Sequence, residues 1–472
     1  MATIAPFRGL LYSASRVPDL EPVLAPSHEP LSDERLDALR ARGPLGIVHI
    51  DQPGPDPEDR ARAAAALSQW RRDGVLEQDA RPGLYVAALR YRARGMAEKT
   101  LLGFFARLLI EGPDSEHVRC TEQPIEDEAR NRAELTRALE AHVSPVTGLF
   151  EDPRQEISAV MDTVSRRPAD RWASEASGLE VRLWRVTDAA AVHALVSGMK
   201  SRGIWILEEA HRWAAAREVR DALRAVEKDA PAGSRSHDHA LAFLAPLESP
   251  GITLTPWHRV IRGTRRFNAR SFAGGSAGHI FDVKHFAFEG FDNRAEQVRR
   301  RLREAAARGR TSIGLYCGGG EFALYLLRDH QLPDEAAARL PGRLRGIDVA
   351  VLDTVLLPLA RTVAHTEEDG ASLLHFDSVT EAMASVDAGE GSAALLLNPP
   401  GLEPLIALSR EGLALGPRST GLLPRVPAGL VIDPLIPADD VHAAPQPMPG
   451  PSPVEADEEE SAGDQEPETS AS

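Results

Sequence analysis

Cysteine is nearly absent from the sequence of 472 residues, which contains only Cys120 and Cys317, almost two hundred residues apart. This spacing excludes a cysteine-based metal site, and so few thiols exclude a small disulfide-stabilised scaffold. We therefore expect two semi-buried thiols without a chemical role, no structural metal, and a protein of the reducing cytoplasm.

Long apolar runs and an excess of basic residues are also missing. No stretch approaches the roughly 18 residues of a membrane span, and the opening MATIAPFRGLLYSASR lacks the layout of a signal peptide. The formal net charge is −16, which disfavours nucleic acid and anionic membranes as partners. The expected partner is a small-molecule ligand.

The acidic charge is concentrated at the carboxyl end of the chain. Ten Asp and Glu residues and no Lys or Arg follow residue 433, and removing these ten charges from −16 leaves −6 for the preceding residues. The segment is rich in Pro, Ser and Ala, and it has too little apolar surface to offset the entropy of ordering. We predict a disordered tail over 434–472 that acts as a spacer or docks an unknown partner.

The rest of the chain has the composition of a globular protein, with 43% hydrophobic and 26% charged residues but only 5% aromatic ones. Its strand-like and helical segments alternate, and TSIGLYCGGGEFALYLL is typical of a β-hairpin. LGIVHID at 45–51 is predicted as a strand, and ARSFAGGSAGH at 269–279 as a flexible loop. We predict a mixed α/β (α+β) fold with several mixed sheets and flanking helices. We predict three α/β parts before the tail: an N-terminal part at 1–125, a central part at 126–280 and a C-terminal part at 281–433.

A strand followed by a helix over 203–226 carries a dense group of polar residues. The helix begins within ILEEAHRWAAAREVRDAL, so Glu208, Glu209, His211 and Arg212 fall in or beside its first turn. Free N–H groups at a helix start attract anions, so this group could form an anion-binding or acid/base cluster. Alternatively, the two glutamates only cap the helix and pair with Arg212 or Arg217.

Several motifs, in order, resemble the bacterial and archaeal domain-of-unknown-function 1015 family. They are IAPFRGLLYS, VLAPSHEPLS, TPWHRV, IDVAVLDTVLLPL, LLLNPP and PRSTGLLPRVPAGLVI, which together cover about residues 3–433. The resemblance extends to the ParB/sulfiredoxin superfamily, which includes free-serine kinases. It implies a ParB/sulfiredoxin-like element around 203–226, binding of ADP or ATP with Mg²⁺, and phosphoryl transfer to a small hydroxy compound such as serine.

The helix start departs from the family's Ala-Asp-Gly-His-His-Arg-Tyr. Glu208 stands at the Asp, Glu209 at the Gly and Ala210 at the first His, and only His211 and Arg212 are unchanged. A carboxylate at the glycine position occupies the space of the phosphate and mimics its charge. Two like charges 4 Å apart repel by about 4 kcal/mol at an effective dielectric near 20, which corresponds to roughly a thousandfold in affinity.

The resemblance also implies roles for other residues. Glu29 is the first candidate for the catalytic base and Glu208 the second, although flanking prolines also suit a surface turn for Glu29. His211 is a donor or proton carrier. The candidate phosphate-binding residues are Arg212, His258, Arg259, Arg418 and Arg425, and the further pocket candidates are His28, Glu122 and Arg132. The alternatives are a core histidine beside an exposed arginine for His258 and Arg259, and a solvated face for Arg418 and Arg425.

Two functions remain open from the sequence. The first is a nucleotide-dependent kinase of a small hydroxy compound, which the retained polar residues favour. The second is a catalytically reduced relative that binds a metabolite or a protein, which the altered helix start favours. ParB-like DNA binding is disfavoured, because the chain is acidic and has no recognition-helix module.

Overall fold

The protein is represented by a computed structural model. It describes residues 2–27, 31–93, 96–112, 115–175, 178–227, 230–262, 267, 269–290, 292–328, 332, 334–364 and 373–436. Residues 437–472, most of the predicted tail, lie outside the described residues, and the prediction of disorder there stays a prediction.

The strands, in chain order, are β1 (Ile4–Ala5), β2 (Leu10–Tyr12), β3 (Leu76–Gln78), β4 (Leu84–Tyr91), β5 (Lys99–Leu109), β6 (Val118–Cys120), β7 (Ala141–His142), β8 (Val146–Phe150), β9 (Arg171–Ser174), β10 (Glu180–Val186), β11 (Ile204–Glu208), β12 (His239–Pro246), β13 (Thr253–Pro256), β14 (His258–Ile261), β15 (Phe281–Ala287), β16 (Ser312–Tyr316), β17 (Glu321–Leu327), β18 (Leu373–Phe376), β19 (Ala393–Leu396), β20 (Thr420–Leu423) and β21 (Asp433–Pro434).

The helices are α1 (Asp33–Arg40), α2 (Val48–Asp51), α3 (Pro57–Arg72), α4 (Glu126–Leu139), α5 (Glu156–Ser165), α6 (Ala189–Met199), α7 (Ala210–Val226), α8 (Ala269–Gly274), α9 (Ser276–Ile280), α10 (Arg294–Ala306), α11 (Asp334–Arg339), α12 (Asp348–Val351), α13 (Leu357–Ala364), α14 (Val379–Asp387) and α15 (Leu402–Arg410), with a π-helical turn at Leu352–Leu356 between α12 and α13. None of the helices in the described ranges is both long enough and apolar enough to cross a membrane.

A large mixed sheet forms the first half of the molecule. Its strand order is β6-β11-β8-β12-β5-β4-β10-β9, and β1 pairs with β5. The pairs β6–β11 and β8–β12 are parallel, whereas the other neighbours are antiparallel. The predicted mixed α/β fold is therefore confirmed. The boundary predicted between residues 125 and 126 falls inside this sheet, because β4 and β5 precede it and β8, β10, β11 and β12 follow it.

A second sheet, antiparallel throughout, has the order β15-β17-β16-β19-β14-β18. The hairpin predicted around the glycine turn is confirmed as β16 and β17. Two apolar clusters fill the opposite faces of this sheet, and α10 and α14 cover one of them. β14 begins only twelve residues after β12 ends, so the chain passes directly from the first sheet to the second.

The carboxyl end of the described chain returns to the first sheet. Ile406 and Val426 belong to the same apolar cluster as Phe7 and Phe105, and β20 pairs with β13. β21 pairs with β7, and Leu435 is buried. The tail was predicted to start at residue 434, which is wrong for the first residues, because Arg107 of β5 binds β21 at Asp433 and Pro434 and Leu435 packs against α4 and α7.

Two predicted elements differ from the structure. The apolar run at 45–51 forms the helical turn α2 rather than a strand, with Ile47, Val48 and Ile50 all buried. The glycine-rich segment at 269–279 forms α8 and α9 rather than a loop, because Phe272 and Ala277 are buried in the apolar cluster of the second sheet. In both segments tertiary packing determines the conformation.

The predicted strand and helix over 203–226 are β11 and α7. β11 lies between β6 and β8 in the first sheet, and α4 packs along α7. At the start of α7, α4 therefore lies beside the helix, and the returning strand β20 lies beside β11.

Candidate functional site at the start of helix α7

The link between β11 and α7 is a single residue. Glu209 adopts the left-handed conformation, with φ at 70°, and this turn brings the chain directly from the sheet into the helix. One Glu209 oxygen lies 2.9 Å from Arg212 Nε and 3.2 Å from His211 Nε2. The Glu209 side chain is only 9% exposed. The carboxylate therefore folds back onto its own helix start and is ion-paired there, rather than solvated.

A buried network of charges continues beneath Arg212. Its guanidinium also donates to the carbonyl of Ser27. Arg132, on α4, donates to Asp51 over 2.8 Å, and the Ser144 hydroxyl donates to the same Asp51 oxygen over 2.7 Å. Asp51 is 1% exposed, so burial raises its pKa. The nearby Arg212 charge and the Ser144 hydrogen bond oppose that rise. Arg132 is therefore a structural neighbour of the site, held by Asp51.

A small cleft opens on the other side of Glu209. It has a volume of about 50 Å³. Its walls include four carboxylates and one guanidinium, from Glu122, Glu128, Glu208, Glu209 and Arg418, together with His211 and Trp257. One water occupies about 30 Å³, and small-molecule pockets are typically about 300 to 1,000 Å³. The cleft therefore has room for a water molecule, but not for a nucleotide.

Two of these carboxylates bind the backbone of β20. Glu122 accepts from the Thr420 N–H, and Glu208 accepts from the Leu422 N–H over 2.7 Å. Burial raises the pKa of Glu122 to about 8 and the pKa of Glu208 to about 7. The hydrogen bond from the Thr420 N–H is the largest effect that lowers the pKa of Glu122. For Glu208, the largest effect that lowers the pKa is the charge of the Arg425 guanidinium. Both carboxyls therefore exchange protons close to neutral pH.

His211 is held in its neutral form. Burial lowers its pKa well below 6.5, and the charges of Arg212, Arg132 and Arg418 lower it further. Its Nδ1 lies 3.8 Å from a Glu128 oxygen, and Glu128 in turn accepts from Arg418. His211 can therefore exchange hydrogen bonds in the cleft, but it adds no positive charge for an anion. Arg418 does not lie on a solvated face.

His258 and Arg259 are parts of the second sheet rather than walls of the cleft. The His258 Nδ1 accepts from the Leu397 N–H over 3.2 Å, and burial lowers the pKa of this imidazole to about 3. Arg259 is 2% exposed and donates to the Arg418 carbonyl over 2.9 Å and to Asp353 over 3.1 Å. His258 is thus a core histidine, but the arginine beside it is buried and not exposed.

Arg425 connects the cleft to the second sheet. Its Nη1 donates to Asp377 over 2.8 Å, its Nε lies 3.7 Å from Glu208, and its guanidinium stacks 5.3 Å from the Trp257 ring centroid. Arg425 therefore holds Glu208 in place and is not on a solvated face. Sequence reasoning missed Asp51, Glu128 and Asp377, which carry no motif and become neighbours only through long-range packing. It also missed Trp257, although this residue lies within the TPWHRV motif beside His258.

His28 and Glu29, the latter being the first candidate for a catalytic base, lie outside the described residues. Ser27, which directly precedes them, accepts a hydrogen bond from Arg212. The chain therefore reaches the start of α7 at Ser27, and the role of Glu29 stays a prediction.

Glu122 is expected to make the protein less stable as the pH rises. Its pKa is about 8 in the folded chain, against an ordinary value of 4.5. Between these values the folded state keeps a proton that the unfolded state releases, so the free energy of unfolding falls with rising pH. The expected fall is about 2 kcal/mol between about pH 5.5 and 7.5. In Glu122→Gln the amide oxygen still accepts from Thr420, and equilibrium urea unfolding should show this fall removed.

The exposed Glu126→Gln, at the start of α4, is the matched control and should retain the pH dependence of the native protein. An unchanged pH dependence in Glu122→Gln would contradict the assignment of a buried, proton-holding carboxyl to Glu122.

Together, the two sheets and the charged cleft at the start of α7 define a mixed α/β protein in which a strand and a helix present the candidate site. A family model described as "Protein of unknown function (DUF1015)" matches residues 4–354, and the chain belongs to this family. The family resemblance of the sequence is thereby confirmed. No curated protein matches the chain.

Three solved structures resemble this chain at low sequence identity. A conserved hypothetical protein from Pyrococcus furiosus is 14% identical, with a TM-score of 0.34, and the match covers 70% of this chain and 94% of that one. A free serine kinase in complex with AMP is 13% identical, with a TM-score of 0.34 and coverage of 68% and 87%. SbnI with a C-terminal truncation, from Staphylococcus aureus, is 8% identical, with a TM-score of 0.35 and coverage of 70% and 87%.

Proposed function

We propose that this protein is a catalytically reduced member of its family, which binds a small molecule or a protein but does not transfer phosphoryl groups. The observation that carries the proposal is the position of the Glu209 carboxylate. It lies inside the first turn of α7, 2.9 Å from Arg212 Nε, at the place where a helix start would otherwise bind an anion.

The residues around Glu209 do not fit a nucleotide phosphate. Arg212 is already neutralised by Glu209, and His211 is neutral. A phosphate within 4 Å of Glu209 would meet a repulsion of about 4 kcal/mol at an effective dielectric near 20. Glu122 and Glu208 add further carboxyls to the same cleft of about 50 Å³. Among the described residues, no three His, Cys, Asp or Glu side chains are grouped as metal ligands.

Phosphoryl transfer to a small hydroxy compound is the second candidate function, with ADP or ATP and Mg²⁺ as its cofactors. Two buried carboxyls favour it, because the pKa values of Glu122 and Glu208 are about 8 and 7. A general acid or base works best when its pKa lies near the working pH. Either carboxyl is suited to moving a proton in the cleft, and Glu29 remains a candidate base.

A thermal-shift titration of the full chain with ADP and ATP, each with and without Mg²⁺, separates the two functions. A ligand at one hundred times its dissociation constant stabilises a protein by about 2.7 kcal/mol, which raises the melting temperature measurably. We expect no rise with any nucleotide. A rise that disappears in Arg212→Met would place a nucleotide at the start of α7 and overturn the proposal in favour of the kinase.

A further inference from the structure

A larger pocket lies on another face of α7. It has a volume of about 500 Å³ and is bounded by β6, by α7, and by the end of α15 with the turn that follows it. α7 contributes Trp213 and Arg217, which are four residues apart and therefore share a helix face. Arg212 points away from that face, since consecutive helical residues are about 100° apart. The wall residues that matter here are Arg119, Cys120, Trp213, Arg217, Arg410 and Leu413.

Two arginines of this pocket have no carboxylate partner among the described residues. The Nε atom of Arg217 is buried and makes no hydrogen bond there. Arg119 donates through Nη1 to the carbonyl of Ser409 and forms no ion pair with a described side chain. Arg410, by contrast, is paired with Glu151 over 2.6 Å. Two guanidinium groups therefore face one pocket, and no carboxylate of the described residues forms an ion pair with either of them.

The acidic residues at the rim do not neutralise this pair. Glu411 is engaged with Arg343 over 2.7 Å. Glu116 also lines the pocket, but it is exposed and not within ion-pair distance of either arginine. The pocket thus combines a positive end with the apolar surfaces of Trp213 and Leu413.

We propose that this pocket, the Arg119–Arg217 pocket, binds a small organic anion. Its carboxylate or phosphate headgroup is held by the two guanidinium groups, and its apolar body lies against Trp213 and Leu413. The planar fork of arginine matches both headgroups with paired hydrogen bonds. The volume falls in the range of small-molecule sites, about 300 to 1,000 Å³. The inference rests on the proposed function, because it supplies the ligand site of a binding protein.

An uncompensated, partly buried charge gives the physical reason for binding. A guanidinium held away from water without a partner is unfavourable, and an anion that reaches it recovers charge-assisted hydrogen bonds. The pocket lies on a different face of α7 from Glu209, so an anion bound between Arg119 and Arg217 does not need the helix start.

The test uses the full chain and three probes that share a benzene ring. Phenyl phosphate and benzoate carry the two candidate headgroups, and benzyl alcohol is the neutral control. In thermal-shift titrations at low ionic strength, we expect at least one of the two anions to raise the melting temperature and benzyl alcohol to have no effect. The stronger of the two anions identifies the headgroup. Arg217→Met and, independently, Arg119→Met should each reduce the affinity for that anion by about tenfold or more.

Arg300→Met, on the exposed side of α10 in the other half of the molecule, is the control and should bind like the native chain. The pocket proposal is overturned if neither anion stabilises the protein, or if stabilisation is undiminished in both Arg217→Met and Arg119→Met. Stabilisation by ADP or ATP that is lost in Arg212→Met instead overturns the proposed function, so the two failures are distinguishable.

Discussion

Replacing Arg107 by leucine is expected to lower the free energy of unfolding by about 3 to 5 kcal/mol, the usual cost of removing one partner from a buried ion pair. The Arg107 Nε lies 3.0 and 3.1 Å from the two Asp433 oxygens, and Nη2 donates to the Pro434 carbonyl over 3.0 Å. Asp433 is fully buried. The substitution leaves its carboxylate without a counter-ion in the core of the first sheet. Equilibrium urea unfolding measures the loss.

Two further variants serve as controls for this prediction. Arg339→Leu removes an arginine from the exposed pair with Glu335, over 2.7 Å on α11, and should change stability by less than about 1 kcal/mol. The double variant Arg107→Leu/Asp433→Leu replaces both charges by apolar groups and should recover most of the loss. If Arg107→Leu is as stable as Arg339→Leu, β21 does not depend on the Arg107–Asp433 pair.

The fold was predictable where a local pattern coincides with packing. The hairpin of β16 and β17 has apolar strands around a glycine turn, and both strands are buried in the second sheet. The run at 45–51 was not predictable, because a short apolar segment suits a strand and a buried helical turn equally. The turn is selected by distant residues, since it brings Asp51 to Arg132 and Ser144.

The candidate site was predictable only in part, for the same reason. The sequence places Glu208, Glu209, His211 and Arg212 at one helix start, and the structure keeps them together. Their protonation depends on burial beneath β20 and α4, whose sequence positions are remote. His258 was predicted as a site residue because it lies within the TPWHRV motif. Its imidazole instead accepts a hydrogen bond from the Leu397 N–H, directly after the neighbouring strand β19.

Glu209→Gly is expected to create an anion site at the start of α7, where the native chain has none. Glycine adopts the left-handed conformation of residue 209, with φ at 70°, without steric cost. It also removes the carboxylate that neutralises Arg212 and contacts His211. Inorganic phosphate should then bind at the start of α7 up to about a thousandfold more tightly than in the native chain, the equivalent of about 4 kcal/mol of relieved repulsion. Calorimetric titration measures the affinity.

Without ligand, Glu209→Gly should be less stable than the native chain, because Arg212 loses a buried partner. Added phosphate should restore the lost stability. Glu140→Gly is the matched control. It makes the same substitution at a residue with φ at 50°, at the far end of α4, and should bind phosphate no more tightly than the native chain. Glu209→Gln removes the charge but keeps the bulk, so it should bind only weakly. If Glu209→Gly binds phosphate no more tightly than the native chain, the Glu209 carboxylate does not stand in for an anion.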